Sequence, residues 1–163
     1  MTGSPPPPAP GPGPGEHRGL AHPGHDPRLG LTVTHRRYVP YAAAHYGGAL
    51  VDGAYVLALF GDVATELCIR TDGDEGLLAG YRELTFHGPV RAGDVVEVRA
   101  VLTRVGRRSR ELTLTAEVQC RARPQRGPSA GEVLDPPTVV CTAHATVVVP
   151  DPAGQPGPSE PPR

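Results

Sequence analysis

Two acids spaced four apart, and a third beside a run of glycines, are the residues of this chain best placed to do chemistry. They lie in one block, His45-Tyr46-Gly47-Gly48-Ala49-Leu50-Val51-Asp52-Gly53-Ala54, which leads on to Leu59-Phe60-Gly61-Asp62-Val63-Ala64-Thr65-Glu66-Leu67. A glycine-rich turn brings bare backbone N–H groups close to a ligand oxygen. N–H groups at a helix start also carry positive partial charge. A carboxylate beside them can act as a general base. Together these parts suit proton removal next to a carbonyl whose oxygen is held by amides. Gly47, Gly48 and Gly53 are the candidate oxygen-binding backbone. Asp52 is the first choice for the base, with Asp62 or Glu66 as a second carboxylate. Each has a plainer reading: glycines that only make a tight turn, an Asp52 that only caps a helix, and acids held in ion pairs by arginines such as Arg70. His45 is a candidate proton shuttle near neutral pH, or simply a residue that orders the loop. Tyr46 is a candidate substrate contact through its hydroxyl, and His87, in Phe86-His87-Gly88-Pro89, is a further one at a strand end.

A helix and a sheet must position these residues. From Asp52 to Arg70 the pattern reads as one apolar helix, closed by the polar run from Thr71 to Gly76. Asp62 and Glu66 then share a face. Asp52 lies about four turns before Glu66, near that face but at the other end. Gly53 and Gly61 each weaken a helix by about 1 kcal/mol relative to Ala, which predicts close packing against something flat. Elsewhere the period is two. Leu29 to Val39 reads as a first strand stopped by Pro40, and Tyr81 to Phe86 as a short one. Asp94 to Val105 and Arg110 to Arg123 read as long strands flanking the turn Gly106-Arg107-Arg108-Ser109. Pro124 to Pro137 reads as a loop with four prolines, and Thr138 to Val149 as the last strand. A strand, a long helix and four strands in an antiparallel meander predict an α+β fold. Its single hot-dog domain has a long central helix wrapped by a curved antiparallel sheet. The exposed edges of such a sheet are usually covered by dimerisation.

Composition bounds the rest. The 163 residues include 21 Gly and 21 Pro, the prolines concentrated at the two ends. Residues 1–28 and 150–163 lack apolar periodicity and read as disordered Pro-rich tails, leaving 29–149 as the foldable domain. The net charge is −1, every basic side chain being Arg. The absence of Lys excludes Schiff-base chemistry. The charge balance gives no basic footprint for nucleic acid. Cys68, Cys120 and Cys141 have no metal-ligand spacing and read as small buried thiols in a reducing compartment. No histidine is spaced with them as a ligand, so no metal is expected. The chain begins with a Pro-rich run rather than an apolar one, and no apolar run is long enough for a membrane span, which predicts a cytoplasmic protein.

Several blocks resemble one family closely. They are His45-Tyr46-Gly47-Gly48-x-Leu50-Val51-Asp52-Gly53-Ala54, Leu59 to Leu67, Asp72 to Leu77, Pro89-Val90-x-Ala92-Gly93-Asp94, Val105-Gly106-x-x-Ser109-Arg110 and Val139-Val140-Cys141. Over about Leu31 to Val149 the chain is similar to the 3-aminobutyryl-CoA ammonia-lyase family of hot-dog proteins. It departs in having Ala42 and Ala43 where the family often carries a polar residue, and Ala49 where it tends to have Asn. The resemblance implies elimination of ammonia from a 3-aminoacyl-CoA to give a 2-enoyl-CoA, as in lysine fermentation. It implies no cofactor beyond the CoA of the substrate, and a homodimer or dimer-based oligomer. Such a reaction needs an oxyanion site, a base for the alpha proton and an anion near the leaving amine. CoA phosphates need positive charge, for which Arg104, Arg107, Arg108 and Arg110 form the densest basic turn, although solvated turn arginines are the plainer reading. Three alternatives stand beside the lyase: a hot-dog acyl-CoA thioesterase, a hydratase adding water to an enoyl-CoA, and a non-catalytic acyl-CoA-binding protein. The chain contains no Asn, which counts against the Asn-dependent thioesterases.

Overall fold

The structure is a computed structural model that describes residues 26–150; most of the two Pro-rich tails expected from the sequence lies outside the described residues. Its longest element on the apolar stretch is a helix, α1, spanning Gly53–Asp72. Asp52 caps it, its carboxylate accepting from the Tyr55 amide at 2.9 Å. Gly73 ends it in the left-handed conformation, with its N–H donating to the Ile69 carbonyl. Val56, Leu59, Phe60, Val63, Ala64, Leu67 and Cys68 are buried, a stripe spaced three and four apart that lies along one side of a helix.

Five strands wrap that stripe: β1 Thr32–Tyr38, β2 Leu77–Phe86, β3 Val95–Val105, β4 Ser109–Ala122 and β5 Gly131–Val148. They form one sheet in the order β1-β3-β4-β5-β2, every neighbouring pair antiparallel. Val96, Val98, Ala100 and Leu102 of β3 turn inward, with Leu112, Leu114, Ala116 and Val118 of β4 and Cys141, Ala143, Ala145 and Val147 of β5. The small side chains among them leave room for the helix, whose Phe60 and Leu67 are fully enclosed. This is the expected hot-dog arrangement.

The expected meander of four strands holds only for β3, β4 and β5. After the helix, β2 pairs with β5 at the far edge rather than with β3. The helix carries the chain across the sheet, and period two identifies a strand without naming its neighbour. Strand β5 begins at Gly131, so the expected proline loop is in part strand. Between the pairs Val118–Thr138 and Cys120–Val133 the register shifts, and this wide irregularity is where Pro136 and Pro137 are accommodated. Strand β2 likewise starts earlier than expected, at Leu77.

The inner surface is closed at the C-terminal end of α1 by an ion cluster. Asp72 accepts from Arg110 at 2.5 and 2.8 Å and from Arg28 at 2.8 Å, and Arg28 also binds Asp26. Burial works against the Asp72 carboxylate, but hydrogen bonds from Arg110 and Thr71 hold it below the usual Asp range. Arg28 hydrogen bonds hold Asp26 down as well, at about 2.

Candidate active site

At the other end of α1 the helix start faces a cavity of about 270 Å³. Val51, Asp52, Gly53 and Val56 form one side, and Phe86, Gly88, Pro89 and Val90 the other. The first-turn amides of a helix lack intrahelical partners; Asp52 Oδ1 takes that of Tyr55, and the backbone of Gly53 lines the cavity. A Cβ on Gly53 would stand 2.8 Å from Phe86 Cζ, so only glycine lets the ring lie against the helix start. Gly61, by contrast, has nothing within 4 Å of the same position and packs closely on nothing.

His45 is brought to Asp52, with Nδ1 at 3.9 Å from Oδ2, and its ring meets the Tyr46 ring edge-on at 4.5 Å between centroids. The two oxygens of Asp52 are thus divided: one caps the helix, and the other lies toward His45. Gly47 and Gly48 are not at the helix start. They belong to a short 3-10 turn, Gly47–Ala49, closed by the His45 and Tyr46 amides donating to the Leu50 carbonyl. Gly48 takes φ +72, and Ala49 follows at φ +59. Asn tolerates that left-handed backbone better than Ala does. The turn lines a second cavity, of about 600 Å³, with Tyr41, Arg91, Ala92 and the start of the β4–β5 connection.

His87 turns away from the helix start; its Nε2 lies 2.8 Å from Thr142 Oγ1 on β5. Asp62 and Glu66 share a face as expected, but neither lines the Asp52 cavity. Asp62 is exposed and lies 3.9 Å from an Arg37 nitrogen. Glu66 is gripped by His35 at 2.5 Å and by Arg70, and the His35 hydrogen bond, followed by that of Arg70, lowers its carboxyl below the usual Glu range.

Residues 48–125 match the Thioesterase superfamily. The 3-aminobutyryl-CoA ammonia lyase of Acetoanaerobium sticklandii is 51% identical over 107 residues, which is 66% of this chain and 85% of the relative. The chain belongs to the 3-aminobutyryl-CoA ammonia lyase family. Among solved structures, the beta-alanyl-CoA:ammonia lyase of Clostridium propionicum superposes with a TM-score of 0.73 at 31% identity, over 81% of this chain and 93% of that one. A hexameric thioesterase from Yersinia pestis shares the fold at a TM-score of 0.60 and 20% identity, over 78% and 93%.

Within that family frame, Asp94, which the sequence offered only inside a family block, and Arg121, which it did not offer, hold the site together. Asp94 is fully buried and accepts from the Arg91 amide and from Arg121. Arg121 also donates to the Pro89 carbonyl. This pair fixes the Pro89–Ala92 segment against the chain before α1, where Val51 N donates to Val90 O and Ala92 N to Ala49 O. Its signal in the sequence is the Pro89 to Asp94 block, where an Asp directly follows a glycine and precedes an alternating strand. Two of the four arginines in the basic turn expected to meet CoA phosphates are occupied otherwise. Arg110 is buried on Asp72, Gly106 and Ser109, and Arg104 pairs with Glu111. Burial pushes the Cys68 and Cys141 thiols up to about 11, so both stay protonated and poorly nucleophilic at neutral pH. Among the described residues no group of three or more His, Cys, Asp or Glu is placed to hold a metal, and no helix is long and apolar enough to cross a membrane.

Proposed function

We propose that this protein catalyses the reversible elimination of ammonia from a 3-aminoacyl-CoA such as 3-aminobutyryl-CoA, giving a 2-enoyl-CoA such as crotonyl-CoA. The observation that carries this reading is the arrangement of Asp52 over the helix-start cavity, in a chain 51% identical over 107 residues to a protein named for that reaction. The thioester oxygen sits against the first-turn amides at Gly53, where negative charge is favoured as it develops. Asp52 removes the proton from C2. The C–H electron pair becomes the C2–C3 double bond, and the C3–N bond breaks. The C3 ammonium departs as ammonia, taking the C–N electron pair, and that ammonia takes up the proton held by Asp52, directly or through His45, to leave as ammonium. Val56, Phe86 and Val90 form an apolar wall suited to a short acyl chain. Tyr46 contacts the thioester arm. Side chains and backbone supply every step, so the reading includes no cofactor beyond the CoA of the substrate.

The reading includes a homodimer built through β2. That edge strand is exposed along nearly its whole length, with Leu77, Leu78, Leu84 and Phe86 uncovered. Such an edge invites pairing with a second copy. Phe86 belongs to both the edge strand and the cavity wall, so the partner would lie beside the site.

Mixing the purified protein with crotonyl-CoA and ammonia tests the function. Loss of the enoyl absorbance that depends on ammonia is expected. Release of free CoA thiol without loss of the enoyl group would instead mark a thioesterase, and no turnover of either kind a binding protein.

A further inference from the structure

We infer that the elimination is syn: the C2 proton and the amino group leave from one face of the substrate, the face turned to Asp52. This course rests on the reading of the substrate as a 3-aminoacyl-CoA. The cavity at the helix start has two unlike walls. Asp52 stands on one, with His45 Nδ1 at 3.9 Å from its Oδ2. Phe86, Gly88, Pro89 and Val90 form the other, and none of them has a side chain that takes or gives a proton. His87 belongs to that stretch of chain but does not line the cavity, and its Nε2 lies 2.8 Å from Thr142 Oγ1. Asp62 and Glu66 do not line it either; Asp62 lies 3.9 Å from an Arg37 nitrogen, and Glu66 is held by His35 and Arg70. Among the described residues that line the cavity, Asp52 alone has a side chain that titrates.

One oxygen then has to serve both bonds. Oδ1 of Asp52 is engaged by the Tyr55 amide at 2.9 Å, which leaves Oδ2 for the substrate. An acid–base group acts within about 3 Å of the atom whose proton it moves. The C2 hydrogen and the C3 nitrogen both come within that reach of a single oxygen only when they project from the same face. On opposite faces, the plane of the forming double bond separates them. In elimination Asp52 takes the C2 proton, the C–H pair becomes the C2–C3 double bond, and the C3 ammonium departs as ammonia with the C–N pair. That ammonia takes the proton from Asp52 directly, or through His45, which stands on the same side. Addition runs the same steps backwards. Ammonium gives its proton to Asp52, ammonia bonds to C3, and Asp52 delivers the proton to C2 on that face. Anti geometry requires a second acid–base group on the opposite wall, and Phe86, Gly88, Pro89 and Val90 supply none.

Addition of ammonia to crotonyl-CoA, a trans enoyl thioester, by the full chain in heavy water tests this course. The product should carry one deuterium at C2, on the same face as the new C3–N bond. Hydrolysis of the thioester and closure to the four-membered lactam lets proton NMR read the relative configuration. The remaining C2 hydrogen lies cis to the C3 hydrogen after syn addition, and trans after anti addition. Prolonged turnover should leave the label at one deuterium, because the same position is removed and refilled each time. Asp52→Asn, which keeps a helix cap, should lose C2 exchange and ammonia release together, each by at least about a hundredfold. A trans product, a second deuterium, or a variant that still exchanges C2 without releasing ammonia would overturn the single-face course, marking a base that reaches the substrate from elsewhere. No ammonia addition at all by the wild type would instead overturn the lyase reading, and the syn course with it.

Discussion

Asp52 has a structural and a proposed chemical task, and its two oxygens allow them to be separated. Asn caps helices as well as Asp does but cannot take a proton. Asp52→Asn should therefore keep its melting temperature near wild type while kcat/KM for ammonia elimination falls at least about a hundredfold. Asp52→Ala should lose the same activity and also about 1 kcal/mol of stability by denaturant titration. Equal activity in the Asn variant would leave Asp52 as a cap alone. A second residue-scale outcome concerns acid. Asp72 and Asp26 have folded pKa values below their unfolded ones, so their contribution is complete above the unfolded value near 3.8 and fades as pH falls through the folded one. A melting curve series should show this loss setting in below about pH 4. Asp72→Asn should cost about 3 kcal/mol at neutral pH, because it strands the buried Arg110, and should flatten that acid slope. Asp52 was legible in the sequence because capping is local. Asp94, Arg121 and Phe86 were not, because they reach the site from segments 30 or more residues away in the chain, and nothing at their own positions marks the meeting.

At the scale of elements, the helix was legible nearly to the residue. Its 3-and-4 spacing, its Asp cap and its Gly stop are all written within the segment itself. The strands were legible as strands, but the place of β2 beside β5 was not, since pairing is decided by what the helix spans. The sequence also suggested one glycine mouth at the helix start. The structure separates Gly53 from the Gly47–Ala49 turn by Leu50, Val51 and Asp52, with Leu50 and Asp52 in extended backbone, which no periodicity over so few residues reveals. Gly53 shows what the element contact demands. Gly53→Ala removes a poor helix former but drives its methyl into the Phe86 ring. The ring is half exposed and can swing aside. Stability measured by chemical denaturation should thus shift by less than about 1 kcal/mol, while kcat/KM drops roughly 10–100-fold as the cavity wall moves. A variant with unchanged activity would show that Phe86 does not shape the working site.

At the scale of the whole molecule, the sheet is incomplete in one direction. Strand β1 at one edge is short, whereas β2 at the other is ten residues long and carries apolar side chains into solvent. A single copy leaves that edge as unpaired backbone beside exposed leucines, a combination that favours self-association. Pairing about a two-fold axis would place each β2 residue near the same strand of its partner. A charge introduced there meets its own copy, and like charges facing each other across strands oppose pairing. Leu84→Glu should therefore sediment as a monomer at micromolar concentration where the wild type sediments as a dimer or a multiple of one. The fold within each copy should survive, because Leu84 is already partly exposed, and circular dichroism should match wild type. If Phe86 and the helix start need the neighbouring copy to close the cavity, lyase activity should fall with the dimer and return at high protein concentration. A monomeric variant with full activity would place the complete site within one chain, and a variant still dimeric would move the interface off this edge.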